Sequence, residues 1–176
     1  MERAQQLDPL SLVIGVDSNA PYYLAREYDR SIEQSRKVLE LDPSFYLAHY
    51  TVGWASIQKH DFTTALAELQ KARALDAEPF IIGTLGYAYA VSGDSKSAQA
   101  VLKELNQLGE HRLVTPYWIA MIYMALGEKN QAFQWLDRCY EERSQWLPWL
   151  KTDPALDPLR SDPRYAELLR RMALPR

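Results

Sequence analysis

The chain has 176 residues, with 20 Lys and Arg against 23 Asp and Glu, three His and one Cys, for a formal net charge of -3. A 47% hydrophobic share beside 24% charged residues supplies a core and sets the chain apart from disordered sequences. The slight acidity speaks against nucleic acid, which needs a basic face; the lone Cys139 excludes an internal disulfide; no run of about 18 apolar residues offers a membrane span.

From the first residues onward the chain repeats itself. Leu7-Asp8-Pro9 returns as Leu41-Asp42-Pro43 and again as Leu75-Asp76-Ala77, in steps of 34 residues. A second marker is a turn followed by a helix opening: Arg26-Glu27-Tyr28, His60-Asp61-Phe62, Gly93-Asp94-Ser95 and Gly127-Glu128-Lys129. Its steps are 34, 33 and 34, and Ser31, Ala65, Ala98 and Ala132 follow at the same offset. Two independent markers on one period define a repeat array.

Residues 1–11 read as the end of a preceding repeat whose first helix is missing, as though the chain were cut from a longer protein. Repeat 1 spans 12–45 and is degenerate: Pro21 falls in its first helix, which should kink or shorten near Asn19. Repeat 2 spans 46–78, with Val52, Ala55 and Ile57 on one helix and Leu66, Leu69 and Ala72 on the next. Repeat 3 spans 79–112, with Leu85, Ala88 and Tyr89 followed by Ala98, Val101, Leu102 and Leu105; repeat 4 spans 113–143. Residues 144–176 predict short turns opened by Asp153-Pro154, Asp157-Pro158 and Asp162-Pro163, then a capping helix. That helix turns Tyr165, Leu168, Leu169 and Met172 inward and Arg164, Arg170 and Arg171 outward. No alternating strand pattern occurs, so the fold class is all-α.

These units resemble the tetratricopeptide repeat. Its pattern of a large residue, Leu-Gly, Tyr and then small residues is met best by Ile82, Leu85, Gly86, Tyr89, Ala98, Leu102 and Leu105. Repeat 2 offers His49, Val52, Gly53, Ser56, Ala65, Leu69 and Ala72, and repeat 4 offers Pro116, Ile119, Ala120, Tyr123, Ala132, Leu136 and Cys139. The resemblance implies a right-handed superhelical solenoid of about four antiparallel helix pairs with a C-terminal capping helix. The closing stretch is similar to the ends of repeat arrays in bacterial multidomain regulatory proteins.

Chemistry finds little purchase. His49, His60 and His111 lack metal-ligand spacing, and no glycine-rich phosphate loop follows a strand. Cys139 stands at a small apolar position and reads as a buried, inert thiol. No catalytic residue, metal or cofactor is expected, and the chain is read as a non-enzyme. With no signal-type segment in MERAQQLDPL, the default compartment is the cytoplasm.

The resemblance implies instead that the first helix of each repeat lines a concave groove for a protein or peptide partner. This places Tyr23, Tyr50, Trp54, Ile57, Gln58, Tyr87, Val91, Tyr117 and Met121 in the groove. Family members that grip a terminal carboxylate use Lys and Asn where this chain has Tyr50, Trp54, Gly83 and Tyr87, so such a clamp is not expected. An apolar or amphipathic segment fits better, each aromatic anchor burying on the order of 150 Å2. On this reading Trp54→Ala weakens the partner and leaves helicity intact. The competing readings are aromatics consumed by internal packing, a spacer or self-association arm dimerising through an exposed helix edge, and a small-molecule sensing groove.

Overall fold

The structure is a computed structural model and describes residues 11–172. Of the segment expected to close a preceding repeat, only Ser11 lies among them. The described residues form helices and connecting turns without a strand. They fall into two compact units that divide between Ile81 and Ile82.

The first unit holds α1 (Leu12–Asp17), α2 (Ala20–Leu24), α3 (Tyr28–Leu41), α4 (Tyr46–Gln58) and α5 (Phe62–Leu75). The helix α6 (Pro79–Val91) begins in it and runs into the second unit. There follow α7 (Ser95–Leu108), α8 (Pro116–Ala125), α9 (Lys129–Glu141), α10 (Leu147–Thr152), a 3-10 helix (Pro154–Leu159) and α11 (Pro163–Met172).

Pro21 has the predicted effect. The first helix is split at Ser18–Asn19, and Pro21 sits in the opening turn of α2, where its missing N–H costs nothing. The turn markers are four copies of one helix ending. Arg26, His60, Gly93 and Gly127 take φ of 63°, 60°, 91° and 81°. In each, the next amide reaches back to the carbonyl five residues earlier: Glu27 to Tyr22, Asp61 to Ser56, Asp94 to Tyr89 and Glu128 to Tyr123, at 2.8–3.0 Å. This left-handed ending satisfies carbonyls that a helix end would leave bare. Arg143, with φ of 49° and an amide bond from Ser144 to the Cys139 carbonyl, repeats it at the end of α9. After two of these turns an Asp caps the next helix, Asp61 accepting from the Thr64 amide at 3.1 Å and Asp94 from that of Ser97 at 3.0 Å.

Small residues let paired helices close up. At Gly53 a Cβ would stand 2.6 Å from Leu69 Cγ, so α4 lies on α5 with no room for a side chain. Gly83 is likewise pressed onto Trp118, whose Cγ would meet an added Cβ at 2.9 Å. The interior then fills with Val52, Ala65 and Leu69 in the first unit, and with Leu85, Leu105, Ile122 and Leu136 in the second.

The C-terminal segment closes the second unit with Leu150, Leu156, Leu159, Tyr165 and Leu168, all buried. Asp153 caps the 3-10 helix through the Ala155 amide at 2.9 Å, and Asp162 accepts from the Arg164 amide at 3.0 Å. Asp157 differs from expectation: its carboxylate takes the Arg160 guanidinium at 2.7 Å, because Pro158 continues inside the 3-10 helix. The arginines of α11 differ too. Arg164 lies over the Phe133 ring at 4.1 Å and donates to Asn130; Arg171 lies over Tyr140 at 4.5 Å and pairs with Asp137 at 2.6 Å. Only Arg170 stays on its own helix, paired with Glu167. The long side chains of the other two reach past the apolar stripe and clamp α11 onto α9.

Candidate functional site

In the first unit the sequence-predicted residues assemble a row of rings. Tyr50 and Trp54 lie four residues apart on one face of α4 and stack with centroids at 6.3 Å. Tyr23, brought in by α2, stacks on Trp54 at 5.6 Å, and Tyr28 of α3 tilts against Tyr23 at 5.8 Å. Phe80 meets the edge of Tyr50 at 4.9 Å. The row therefore runs Tyr28, Tyr23, Trp54, Tyr50, Phe80. Its middle is sealed, Tyr23 at 3% and Trp54 at 7% exposure, while Tyr28, Tyr50 and Phe80 are half-buried. Ile57 is buried beside them. Gln58 is half-buried, and its Nε2 has no hydrogen-bond partner among the described residues.

A polar relay links the helices that carry this row. Asn19 Nδ2 donates to Ser35 Oγ at 2.7 Å, and Ser35 Oγ stands 2.7 Å from Thr51 Oγ1, which bonds back to the Leu47 and Ala48 carbonyls. Asn19, at the break that opens α2, thus ties α2 to α3 and α4. On another side of α4, His49 Nδ1 lies 2.5 Å from Glu68 Oε2 and Nε2 lies 3.0 Å from the Pro43 carbonyl. Burial pushes the Glu68 carboxyl up, but hydrogen bonds from Lys71 and His49 prevail and hold it below the usual carboxylate range.

The second unit treats its predicted residues differently. Val91 is half-buried, Tyr87 is 5% exposed, and Tyr117 and Met121 have no exposed surface. Tyr117 stands edge-on to Trp118 at 4.9 Å and stacks on Trp146 at 5.8 Å, with its hydroxyl donating to Asp153. These side chains lie inside the unit because α8, whose sequence is PYWIAMIYMA, is covered on nearly every side. Tyr117 is thus covered by Trp146 and Asp153 of the C-terminal segment, and Met121 is buried as well.

Tyr28 was missing from the predicted set. The signal for it is its place at the start of α3, directly behind the turn that brings it beside Tyr23. His60, as expected, is an exposed turn residue. Cys139 is fully buried, and desolvation pushes its thiol up from the ordinary value. Among the described residues no three His, Cys, Asp or Glu stand together as metal ligands, and no helix is long and apolar enough to cross a membrane.

Residues 117–145 match the family model described as the tetratricopeptide repeat. Among solved structures the chain is similar to YrrB, described as a TPR protein with an unusual peptide-binding site. The TM-score is 0.57 at 17% identity, over 96% of this chain and 88% of that one. No curated protein matches the chain. At this identity the likeness to YrrB is one of fold, and it extends the repeat architecture beyond the residues that the family model matches.

Proposed function

We propose that this tetratricopeptide-repeat chain is a non-catalytic protein-interaction module that takes an apolar or amphipathic peptide segment against the aromatic row of its first unit. The observation that carries this reading is the row itself: five rings, each held by a neighbour, with Tyr28, Tyr50 and Phe80 still partly open to solvent. Rings already fixed by stacking lose little freedom when a partner covers them, so their apolar area converts to affinity at low entropic cost. Trp54 and Tyr23 act as backing for Tyr50, while Ile57 and Gln58 border it along α4. Tyr87, Val91, Tyr117 and Met121 serve the packing of the second unit in this reading. The peptide-binding site named for YrrB belongs to that protein and lends the reading a precedent within the fold.

The test is fluorescence anisotropy with a panel of labelled amphipathic peptides, comparing the native chain with Tyr50→Ala. Affinity lower by tenfold or more, with unchanged helical circular dichroism, is the expected result. Equal affinity removes Tyr50 from the site. Light scattering over a tenfold concentration range separates the competing self-association arm, which predicts a stable dimer.

A further inference from the structure

The connection between α7 and α8 differs from its counterparts. Four residues (42–45) join α3 to α4 and three (76–78) join α5 to α6, whereas seven (109–115) join α7 to α8. The longer loop carries Leu113, 87% exposed, well above Leu41 at 55%, the next large hydrophobic among the described residues. Beside it α7 and α9 stand apart and leave two clefts, of about 350 and 550 Å3, that meet at Asn106 and Glu110. Pro116, Ile119 and Tyr123 of α8, at helical spacing, contribute to their linings in turn.

The two ends differ in chemistry. At one end Leu113 and the half-buried Trp135 stand beside Leu105, and the Arg138 guanidinium is spent over the Trp135 ring at 5.0 Å and on Glu142 at 2.8 Å. This end offers an apolar wall of Leu105, Leu113, Ile119 and Trp135, with Arg112 and the already paired Arg138 also lining it. At the other end Lys103 of α7 and Glu128, which opens α9, line the cleft near Tyr123, and neither has an ion-pair partner among the described residues. The walls there carry opposite, uncompensated charges.

We propose that this groove is a second binding site, separate from the aromatic row, for an extended peptide bearing one large apolar side chain and, about three residues away, an adjacent acidic and basic pair. The spacing follows from the floor. Pro116 to Tyr123 spans about 10 Å at 1.5 Å per residue, which an extended chain covers in about three residues. Adjacent side chains of an extended chain point to opposite sides, so an acid–base pair meets the Lys103 and Glu128 walls together. A helix about 10 Å across does not enter a cleft of 350 Å3.

The experiment is a 1H–15N titration of the full chain with the acetylated, amidated hexapeptide Ala-Leu-Ser-Glu-Lys-Ala. Control peptides replace its Leu by Ser, or its Glu and Lys by Gln. The expected result is shifts confined to Asn106, Leu113, Tyr123 and Trp135. Affinity should fall at least fivefold in Leu113→Ser, in Lys103→Gln and with either control peptide. Both substituted residues are exposed, so the fold is retained. Absence of shifts on α7 to α9 at millimolar peptide, or equal affinity in Leu113→Ser, overturns the proposal. Shifts confined to Tyr50 and Phe80 overturn it too, while leaving the aromatic row of the first unit standing.

Discussion

The Tyr117 hydroxyl donates to Asp153 Oδ2 at 2.5 Å, across 36 residues of sequence and wholly inside the second unit. Asp153 is 1% exposed and spends its other oxygen on the Ala155 amide. The bond therefore joins the fourth repeat to the segment that closes the chain. Removing the hydroxyl strips a buried carboxylate of a charge-assisted partner, a loss of about 1.5–3 kcal/mol. Tyr117→Phe should lower the unfolding free energy by that amount, read as a lower urea midpoint at unchanged slope. A double-mutant cycle with Asp153→Asn should return a coupling energy well above zero.

Trp54→Ala was expected from sequence to spare the fold, and its burial reverses that expectation. At 7% exposure, with Tyr23 on one face and Tyr50 nearby, the indole is core. Its removal should cost about 3–5 kcal/mol of unfolding free energy. Tyr50→Ala, at a half-buried ring, should cost visibly less in the same denaturation experiment, which makes it the cleaner probe of a partner.

The helix pairs and the break near Asn19 were legible because each has a local cause: a turn residue and a proline. Which side of a first helix meets solvent was not. Repeat register points Tyr117 and Met121 toward a groove, yet α4, α6 and α8 contain no Asp, Glu, Lys or Arg. A helix without a charged stripe is covered on most sides, and that absence was the available sign that α8 is interior. The α11 clamp was illegible for another reason. Arg164 and Arg171 sit on the polar edge of the helical wheel, and only tertiary structure brings the rings of Phe133 and Tyr140 within their reach.

His60 holds a left-handed turn that Gly93 and Gly127 hold in later repeats. A residue with a Cβ pays for that conformation and glycine does not. His60→Gly should raise stability by about 0.5–1 kcal/mol, after the loss of the ring contact with Phe62 and glycine's extra unfolded-state freedom. Gly93→Ala should change stability in the opposite direction. Thermal denaturation of the two variants reads both signs.

Acid should loosen the first unit through Glu68. Its carboxyl releases a proton more readily in the folded chain than in the unfolded one, because Lys71 at 2.7 Å and His49 at 2.5 Å favour the charged form over the burial that opposes it. Between those two values the unfolded chain binds more protons, so stability rises with pH there. The contribution is present above the ordinary carboxylate value and is lost as pH falls through the lower folded one. Urea midpoints measured from about pH 5 down to about pH 3 should decline less steeply in Glu68→Gln than in the native chain.

The guanidinium clamp on α9 bears on how copies of this chain associate. Helical repeats polymerise when the last unit offers the next chain the same greasy ledge it offered its own predecessor. Here Phe133 and Tyr140 lie under Arg164 and Arg171, and Asn130 and Asp137 are bonded to the same two cations. A newcomer stacking on α9 would have to evict both arginines together with the helix that carries them. That face of α9 is already occupied by the chain's own α11.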